Sequence, residues 1–195
     1  RQVALNSGMK QESAAVTINE VCGSGMKAVI LARQLIQLGE AELVVAGGTE
    51  SMSQAPMLKP YQSETNEYGE PISSMVNDGL TDAFSNAHMG LTAENVATQF
   101  SVSREEQDRY ALASQLKAAQ AVEAGMFSEE IIPLKISAED MLSEDEAVRG
   151  NSTLEKLGTL RTVFSEEGTV TAGNASPLND GASVVILASK EYAEN

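Results

Sequence analysis

The sequence has 195 residues, of which 42% are hydrophobic, so it is long enough to bury one substantial core. Its formal net charge of −15 and its lack of Trp argue against a nucleic-acid-binding surface, because a polyanion is repelled at long range. One Cys and one His exclude an intrachain disulfide and predict no metal site. No apolar stretch is long enough to cross a bilayer and no signal peptide is recognisable, so we expect a soluble, cytoplasmic protein without a membrane partner.

Residues 14–39 predict a strand that leads into a helix. The β-branched segment AAVTINEV (14–21) is bounded by turn residues, which is typical of a buried strand. Residues 24–38 predict a helix that ends at Gly39. Because its polar side chains share only roughly one third of the circumference, we expect this helix to be buried on most sides, between two layers.

A second short strand is predicted over residues 42–48 (ELVVAGG), with Gly47 and Gly48 interpreted as a strand-ending turn. A strand, a helix and a further strand in succession favour a right-handed parallel unit. The composition then changes, because residues 53–80 are rich in Pro, Ser, Asn, Glu and Gly. This segment predicts loops and short turns.

Two helices are predicted in the middle of the chain. Thr92 is a candidate N-cap of a short helix that continues to Phe100, with Glu94 in its first turn. Ser103 and Glu106 have the spacing of a capping box, which predicts the start of a longer helix ending near Gly125.

The last third of the chain predicts a return to the core. EEIIPLKIS (129–137) is interpreted as an edge strand, because Pro133 cannot donate to a ladder. Residues 138–168 are acidic and irregular, and the acidic stretch 138–147 is interpreted as a solvated face. ASVVILAS (182–189) has the composition of another buried strand.

Cys22 lies in VCGSGMKA, where the first predicted strand turns into the helix. A helix N-terminus favours the thiolate, which is the nucleophilic form of a cysteine. Gly23 and Gly25 permit a tight turn and leave the backbone open to a substrate, in a layout similar to the nucleophile elbow of hydrolases. A buried Cys that only fills space remains an alternative at this point.

Other candidates for functional residues lie in or near polar and glycine-rich segments. His88 is the sole His and is either a capping or surface group or a functional one. The loop TAGNASPLNDGAS (171–183) is either an ordinary loop or backbone that lies against a ligand. Arg149 and Arg161 are nearest to that loop in sequence and could meet an anionic ligand, although an exposed Arg needs no such role.

Seven motifs together resemble the thiolase family in order and spacing. They are NEVCGSGMKAV, VVAGGTESMS, DGLTDAF, HMGLTAENVA, SREEQD, GTVTAGNAS and NDGAS, and they cover nearly the whole chain. The cysteine motif and the His-Met-Gly motif are the most specific. The Met after His88 resembles the short-chain, biosynthetic members, which are acetyl-CoA acetyltransferases.

The resemblance implies an α/β fold, the layered α-β-α-β-α thiolase fold, represented by its N-terminal half and an inserted loop domain. Residues 1–50 and 179–195 would belong to the N-terminal core. Residues 51–178 would form the loop domain that binds coenzyme A and supports oligomerisation. Within it, residues 58–73 would correspond to a tetramerisation loop, which implies a homotetramer.

The resemblance also implies roles for individual residues. Cys22 would be the nucleophile that accepts the acyl group. The pantetheine tunnel would be lined by His88, Met89 and Ser176, with Leu80, Phe164 and Ala172 beside it. Arg149 would lie near the adenine of coenzyme A, although the residues around it match the family less closely.

The activity implied is an acetyl-CoA C-acetyltransferase, which condenses two acetyl-CoA into acetoacetyl-CoA and CoA through a cysteine thioester. No prosthetic group is implied, because the coenzyme A thioester is the substrate. A 3-ketoacyl-CoA thiolase of broader chain length and a non-catalytic CoA-binding half-thiolase are the alternatives. A ketoacyl synthase, which takes acyl groups from a carrier protein, does not fit the His-Met-Gly context.

Three motifs of the family are absent from the sequence. They are an Asn-Glu-Ala-Phe motif, a Gly-His-Pro histidine and a second cysteine in Cys-x-Gly-Gly-Gly, all of which belong to the C-terminal half. The first residues, RQVALNSGM, resemble the middle of a helix, and the last, ASKEYAEN, resemble the start of one. We therefore expect a partial thiolase that lacks its start and its C-terminal half.

Overall fold

The computed structural model describes all residues from Arg1 to Asn195. Its chain divides into two compact units, one formed by residues 1–75 and 179–195 and the other by residues 76–178. None of the helices combines the length and hydropathy needed to cross a membrane. The expected boundaries of the loop domain, 51 and 178, remain a prediction.

Six helices occur along the chain. In order they are α1 (Gln2–Asn6), α2 (Ser24–Gln37), α3 (Met89–Gln99), α4 (Arg104–Glu123), α5 (Leu154–Gly158) and α6 (Lys190–Ala193). A 3₁₀ turn (Val21–Gly23) precedes α2, and a π-helical turn (Met75–Leu80) precedes α3.

The strands pair in four antiparallel ladders of two strands each. The long strands are β1 (Leu43–Ser51) and β8 (Asp180–Ala188), which pair with each other. The short strands are β2 (Met57–Leu58), β3 (Tyr61–Gln62), β4 (Glu67–Tyr68), β5 (Ile72–Ser73), β6 (Leu134–Lys135) and β7 (Met141–Leu142). β2 pairs with β5, β3 with β4, and β6 with β7.

In the first unit, α2 packs against β1 and β8. Ala32 on α2 and Ala46 on β1 are its buried hydrophobic residues. Gly39, at a φ of +73°, ends α2 as predicted: its N–H donates to the carbonyl of Ile36, and the N–H of Glu40 donates to that of Leu35. This is the Schellman arrangement, which a residue without Cβ adopts without strain.

Three predictions about this unit are wrong. Residues 14–20 are irregular, because β propensity needs a neighbouring strand to pack on and none pairs with this segment. The predicted parallel unit is absent, since β1 pairs antiparallel with β8, whose residues lie more than 120 positions further along the chain. Gly47 and Gly48 lie inside β1 rather than in a turn after it.

The expectation that α2 and the strand at 182–189 are buried is also wrong. Met26 of α2 and Leu38, which directly follows the helix, are each 73% exposed, and Ile186 of β8 is 69% exposed. One side of α2 covers the strand pair, and its other apolar side chains have no neighbouring layer within the unit. The strand itself is confirmed, with bounds of Asp180 and Ala188.

In the second unit, the capping box is confirmed. The Ser103 hydroxyl accepts from the N–H of Glu106, the Glu106 carboxylate accepts from the N–H of Ser103, and α4 begins at Arg104. The cap at Thr92 is wrong, because α3 begins at Met89 with His88 as its N-cap. The edge strand predicted over 129–137 is reduced to β6, which follows Pro133 directly.

Candidate active site

Cys22 lies in the 3₁₀ turn immediately before α2, and its side chain is exposed. The polar residues of its motif hold the turn. The Ser24 hydroxyl donates to the Val21 carbonyl at 2.7 Å and accepts from the Glu20 N–H at 2.9 Å. The Asn19 side-chain carbonyl accepts from the Val21 N–H at 2.8 Å. Exposure of the thiol argues against the interpretation of Cys22 as a space-filling core residue.

Val21, directly before the cysteine, has a φ of +51°. A β-branched residue in this left-handed region costs on the order of 1–3 kcal/mol, and such strain persists only where the surroundings fix it. Here Ser24 and Asn19 bind the two backbone groups of Val21. The result is a sharp turn that presents the thiol at the start of a 14-residue helix.

The glycines of two motifs meet beside this turn. A Cβ added to Gly48 in β1 would lie 3.6 Å from the Cα of Gly25 in α2. A Cβ added to Gly25 would have nothing within 4 Å, so the first turn of α2 is open on that side. A Cβ at Gly47 would lie 2.4 Å from the Ser183 carbonyl oxygen. The two glycines inside β1 therefore allow both β8 and α2 to approach its backbone closely.

His88 caps α3 in the second unit. Its Nδ1 accepts a hydrogen bond from the N–H of Gly90 at 3.0 Å, so in the neutral ring the proton is assigned to Nε2. The His88 ring also stacks on Phe164, with centroids 5.0 Å apart and planes inclined by 24°. The capping interpretation of this histidine is therefore confirmed, and its free Nε2–H remains a hydrogen-bond donor.

Phe164 lies in a hairpin that is closed by the bridge between Thr162 and Thr171. The Phe164 ring also lies against Gly90, where an added Cβ would be 2.3 Å from the ring. Only a residue without a side chain fits below the phenylalanine at this point of α3. Residues 160–166, which include Phe164 and Arg161, line a shallow cavity.

Glu94 of α3 holds the returning arm of the same hairpin. Its carboxylate accepts from the N–H groups of Thr169 and Val170 at 2.8–2.9 Å and from the Thr169 hydroxyl at 3.0 Å. Burial raises the pKa of Glu94, but the Val170 and Thr169 donors lower it more, so that the pKa lies below its ordinary value of 4.5. The expectation that Glu94 stabilises the first helical turn is wrong, because α3 begins five residues earlier.

A buried polar network fixes the glycine-rich loop after the hairpin. Asp108, which is 4% exposed, accepts from Arg104 at 2.8 Å and from the Asn174 side chain at 3.0 Å. Asn174 in turn accepts from the N–H of Thr171, which is fully buried. The loop is therefore attached to α4 rather than free.

The remaining predicted site residues also lie in the second unit. Leu80 is half-buried and precedes Thr81, which forms a bridge with His88. Met89 is the first residue of α3 and is 38% exposed. Ala172 and Ser176 are exposed on the loop after the hairpin.

Arg149 is not part of the cluster formed by His88, Met89 and Phe164. It is exposed, and its backbone N–H donates to the Gln115 side chain on α4 at 2.7 Å. The structure thus gathers part of the predicted set around the start of α3, whereas Cys22 belongs to the first unit.

Sequence reasoning missed Glu94 as a contact of the hairpin, and it missed the Arg104–Asp108–Asn174 network. The spacing of Arg104 and Asp108, four positions apart on a helix, was a usable signal for their ion pair. Nothing local to Glu94 or Asn174 indicates their partners, since these lie 66 to 76 positions away.

Residues 1–191 match the family model described as thiolase, N-terminal domain. The chain is 48% identical to an acetyl-CoA acetyltransferase of Paracoccus denitrificans, with 99% of this chain and 50% of that protein covered. It is 46% identical to a probable acetyl-CoA acyltransferase of Staphylococcus aureus, with 100% of this chain and 51% of that protein covered. The chain thus spans about half the length of the curated relatives it matches.

Solved structures give the same assignment. Human mitochondrial 3-ketoacyl-CoA thiolase in complex with CoA superposes with a TM-score of 0.91 at 41% identity, over 99% of this chain and 49% of the human chain. The mixed α/β fold expected from the motifs is therefore confirmed as that of a thiolase. Taken together with the turn at Cys22 and the cluster formed by His88, Met89 and Phe164, these similarities show that the chain belongs to the thiolase family.

Proposed function

We propose that this chain carries the nucleophile and part of the CoA-binding surface of an acetyl-CoA C-acetyltransferase. The observation that carries the proposal is the exposed Cys22 thiol in a strained turn at the N-terminus of α2. The family membership and the relatives named acetyl-CoA acetyltransferase support the same reaction class. No prosthetic group takes part, because the CoA thioester is itself the reactant.

In the first step, the Cys22 thiolate attacks the carbonyl carbon of acetyl-CoA. A carbon–sulfur bond forms to Cys22 and the carbonyl becomes an oxyanion. Helix α2 begins two residues after Cys22, so we propose that backbone N–H groups at its N-terminus stabilise that charge. Collapse breaks the bond to the CoA sulfur, which leaves as a thiolate and takes a proton. The acetyl thioester on Cys22 remains electrophilic, since one thioester has been exchanged for another.

In the second step, another acetyl-CoA loses a proton from its α-carbon. The resulting carbanion attacks the acetyl carbon on Cys22, and acetoacetyl-CoA leaves with the new carbon–carbon bond while the Cys22 thiolate is regenerated. Thiolysis is the same sequence in reverse. The groups that accept and return protons would come from the family's C-terminal motifs, which are absent from the sequence.

The cluster around α3 suits the neutral part of coenzyme A. His88 and Phe164 form a stacked pair, and Met89 adds an apolar side chain at the start of the same helix. We propose that these residues, together with Leu80, Ala172 and Ser176, line the pantetheine channel. The free Nε2–H of His88 would donate to one of its amide carbonyls. Arg149, an exposed cation away from this cluster, would contact the nucleotide end.

Replacement of Cys22 by Ala tests the proposal. The test uses the protein that carries both the N-terminal and the C-terminal thiolase motifs. In it, Cys22→Ala should lower the rate of acetyl transfer by at least about 10⁴-fold, because the covalent route is lost. CoA binding, measured by calorimetry, should stay within about threefold of the wild type, a change below 1 kcal/mol. Turnover retained in Cys22→Ala would overturn the assignment. Binding by the wild type without any turnover would leave a non-catalytic CoA-binding module.

A broader 3-ketoacyl-CoA thiolase is the second candidate. It is favoured by the superposition on human mitochondrial 3-ketoacyl-CoA thiolase. Rates of thiolysis for acetoacetyl-CoA and for longer 3-ketoacyl-CoA separate the two. A marked preference for the four-carbon substrate supports the acetyltransferase, and similar kcat/KM values up to longer chains support the broader enzyme.

We further propose a homotetramer. A hairpin from β3 and β4 carries Tyr61 and Tyr68 in an edge-to-face pair, and both rings are more than half exposed. Large exposed aromatic side chains are typical of a protein interface. Light scattering of Tyr61→Ser should show smaller assemblies than the wild type, and an unchanged mass would remove the hairpin from the interface.

A further inference from the structure

Glu94 connects two sequence motifs that lie more than 70 positions apart. It belongs to HMGLTAEN on α3, and the N–H groups that it binds belong to GTVTAGNAS on the hairpin. Its carboxylate takes both N–H groups of Thr169 and Val170 as well as the Thr169 hydroxyl. A carboxylate that bridges consecutive backbone donors fixes the path of the chain at that point, because charge-assisted bonds are short and directional.

The Glu94 carboxyl group packs closely against the hairpin backbone. A Cβ on Gly168 would lie 2.3 Å from the Glu94 Oε1 and 2.8 Å from its Cδ, so the hairpin backbone lies directly against the carboxyl group. Gln107 of α4 supports the same point by donating to the Thr169 hydroxyl at 2.9 Å. Glu94 thus occupies a close-fitting recess in the returning arm of the hairpin.

The opposite arm of the hairpin carries Phe164. The Val163 N–H donates to the Val170 carbonyl at 3.0 Å, so a shift of Val170 is transmitted to the residue before Phe164. Phe164 contacts α3 at Gly90, one helical turn before Glu94, and stacks on His88 at the helix start. The helix therefore holds the hairpin at two points, one through a ring contact and one through the Glu94 carboxylate.

We propose that Glu94 is a positioning residue for acyl-CoA binding, which fixes Phe164 against His88 through the backbone of Thr169 and Val170. This inference rests on the proposed function, in which His88 and Phe164 line the pantetheine channel. The hydrogen bonds of Glu94 are to the hairpin, so in this proposal it acts through Phe164 and not on the reacting atoms. Its loss should therefore weaken binding of the CoA thioester and leave the chemistry at Cys22 almost unchanged.

The variant Glu94→Gln tests this at constant size. The amide of glutamine has one carbonyl oxygen, which can still accept a hydrogen bond, and one NH₂ group, which cannot. Because the hairpin also presents donors, the bonds made by one of the two carboxylate oxygens are lost. We expect KM for acetyl-CoA to rise about tenfold, as for the loss of about one charge-assisted hydrogen bond, with kcat within about twofold. Glu105→Gln is the matched control, because Glu105 is an exposed residue of α4: its replacement removes the same charge without a hairpin contact and should leave both constants unchanged.

A second readout does not depend on activity. The imidazole resonances of His88, assigned by their loss in His88→Gln, report the ring current of Phe164. In Glu94→Gln they should move toward the positions seen in Phe164→Leu, whereas Glu105→Gln should leave them in place. If Glu94→Gln moves the His88 resonances as expected but the wild type shows no acyl transfer, the proposed function fails while the role of Glu94 in holding Phe164 stands.

Thr169→Val removes only the hydroxyl contacts and serves if Glu94→Gln does not fold. It should raise KM for acetyl-CoA by about twofold to threefold, since this corresponds to only part of the free energy of one hydrogen bond. The proposal is overturned if KM and the His88 resonances are unchanged in Glu94→Gln. It is equally overturned by a fall in kcat alone, or by a Thr169→Val protein that behaves as the wild type where Glu94→Gln is unfolded.

Discussion

The turn that carries Cys22 is held by hydrogen bonds between residues at most four positions apart, from Asn19 to Ser24. The cluster around His88 is held by hydrogen bonds between residues 62 to 76 positions apart, through Glu94, Gln107 and Asp108. Cys22, the proposed nucleophile, is thus positioned by a short continuous stretch of sequence. The surface proposed to bind CoA exists only when several distant segments have come together.

The two units also differ in how side chains fill space. Around β1, the backbones of β8 and α2 come close because Gly47 and Gly48 have no side chains. In the second unit, buried polar side chains such as Asp108 join a loop to a helix. Substitutions should therefore act through steric overlap in the first unit and through unpaired polar groups in the second.

The largest effect is expected from Asp108→Ala. It leaves Arg104, which also donates to the carbonyls of Leu157 and Leu160, without its buried carboxylate. Loss of one partner of a buried pair should lower the free energy of unfolding by about 3 kcal/mol. Arg109→Ala is the control, because its pair with Glu105 on the same helix is 61% and 70% exposed and contributes at most about 1 kcal/mol. Equal losses in urea unfolding would contradict the buried network.

Gly47→Ala should have the next largest effect. The new methyl group would lie 2.4 Å from the Ser183 carbonyl oxygen, which is backbone and cannot turn away, so about 2 kcal/mol should be lost. Gly48→Ala is the control, since its methyl group would lie 3.6 Å from Gly25, an ordinary contact. Its unfolding free energy should change by less than about 0.5 kcal/mol. A similar loss in both variants would remove the steric argument for this region.

Acid should weaken both units to a smaller extent. The Ser53 hydroxyl and N–H lower the pKa of Asp180 below its ordinary value of 3.8, and the hairpin donors hold that of Glu94 below 4.5. A carboxyl whose folded pKa is lowered contributes stability above its unfolded pKa and loses it as the pH falls through the folded pKa. Urea midpoints should therefore fall below about pH 4.5.

Two variants assign this acid sensitivity to its sources. Ser53→Ala should reduce the part of the acid-induced fall in urea midpoint that Asp180 causes. Thr169→Val should reduce the part that Glu94 causes. Each variant removes a hydrogen-bond donor to the carboxylate in question. A midpoint that rises on acidification, or variants with the slope of the wild type, would argue against these carboxylates as the source.

Locally encoded features could be predicted from the sequence. The end of α2 at Gly39 and the capping box at Ser103 were predicted correctly, since each depends on a few adjacent residues. The fold of the family followed from the motifs as a set. The sharp turn at Cys22 was also anticipated, although the positive φ fell on Val21 rather than on a glycine.

Features that depend on distant partners could not be predicted. His88 caps α3 although histidine is not among the usual N-cap residues, and Thr92 competed as a better local candidate. The pairing of β1 with β8 joins residues more than 120 positions apart, so the intervening α2 suggested a parallel unit instead. The contact of Glu94 with the hairpin could not be predicted either, because its sequence context is that of any acidic residue near the start of a helix.

The most direct measurement is a mass spectrum of the protein that carries both the N-terminal and the C-terminal thiolase motifs, taken after brief exposure to acetyl-CoA and read on the intact protein and on its peptides. We expect one acetyl group, located on the peptide that contains Cys22 and absent from Cys22→Ala. A protein that binds CoA but remains unmodified at Cys22, or that carries the acetyl group on another residue, would contradict Cys22 as the acyl-accepting nucleophile.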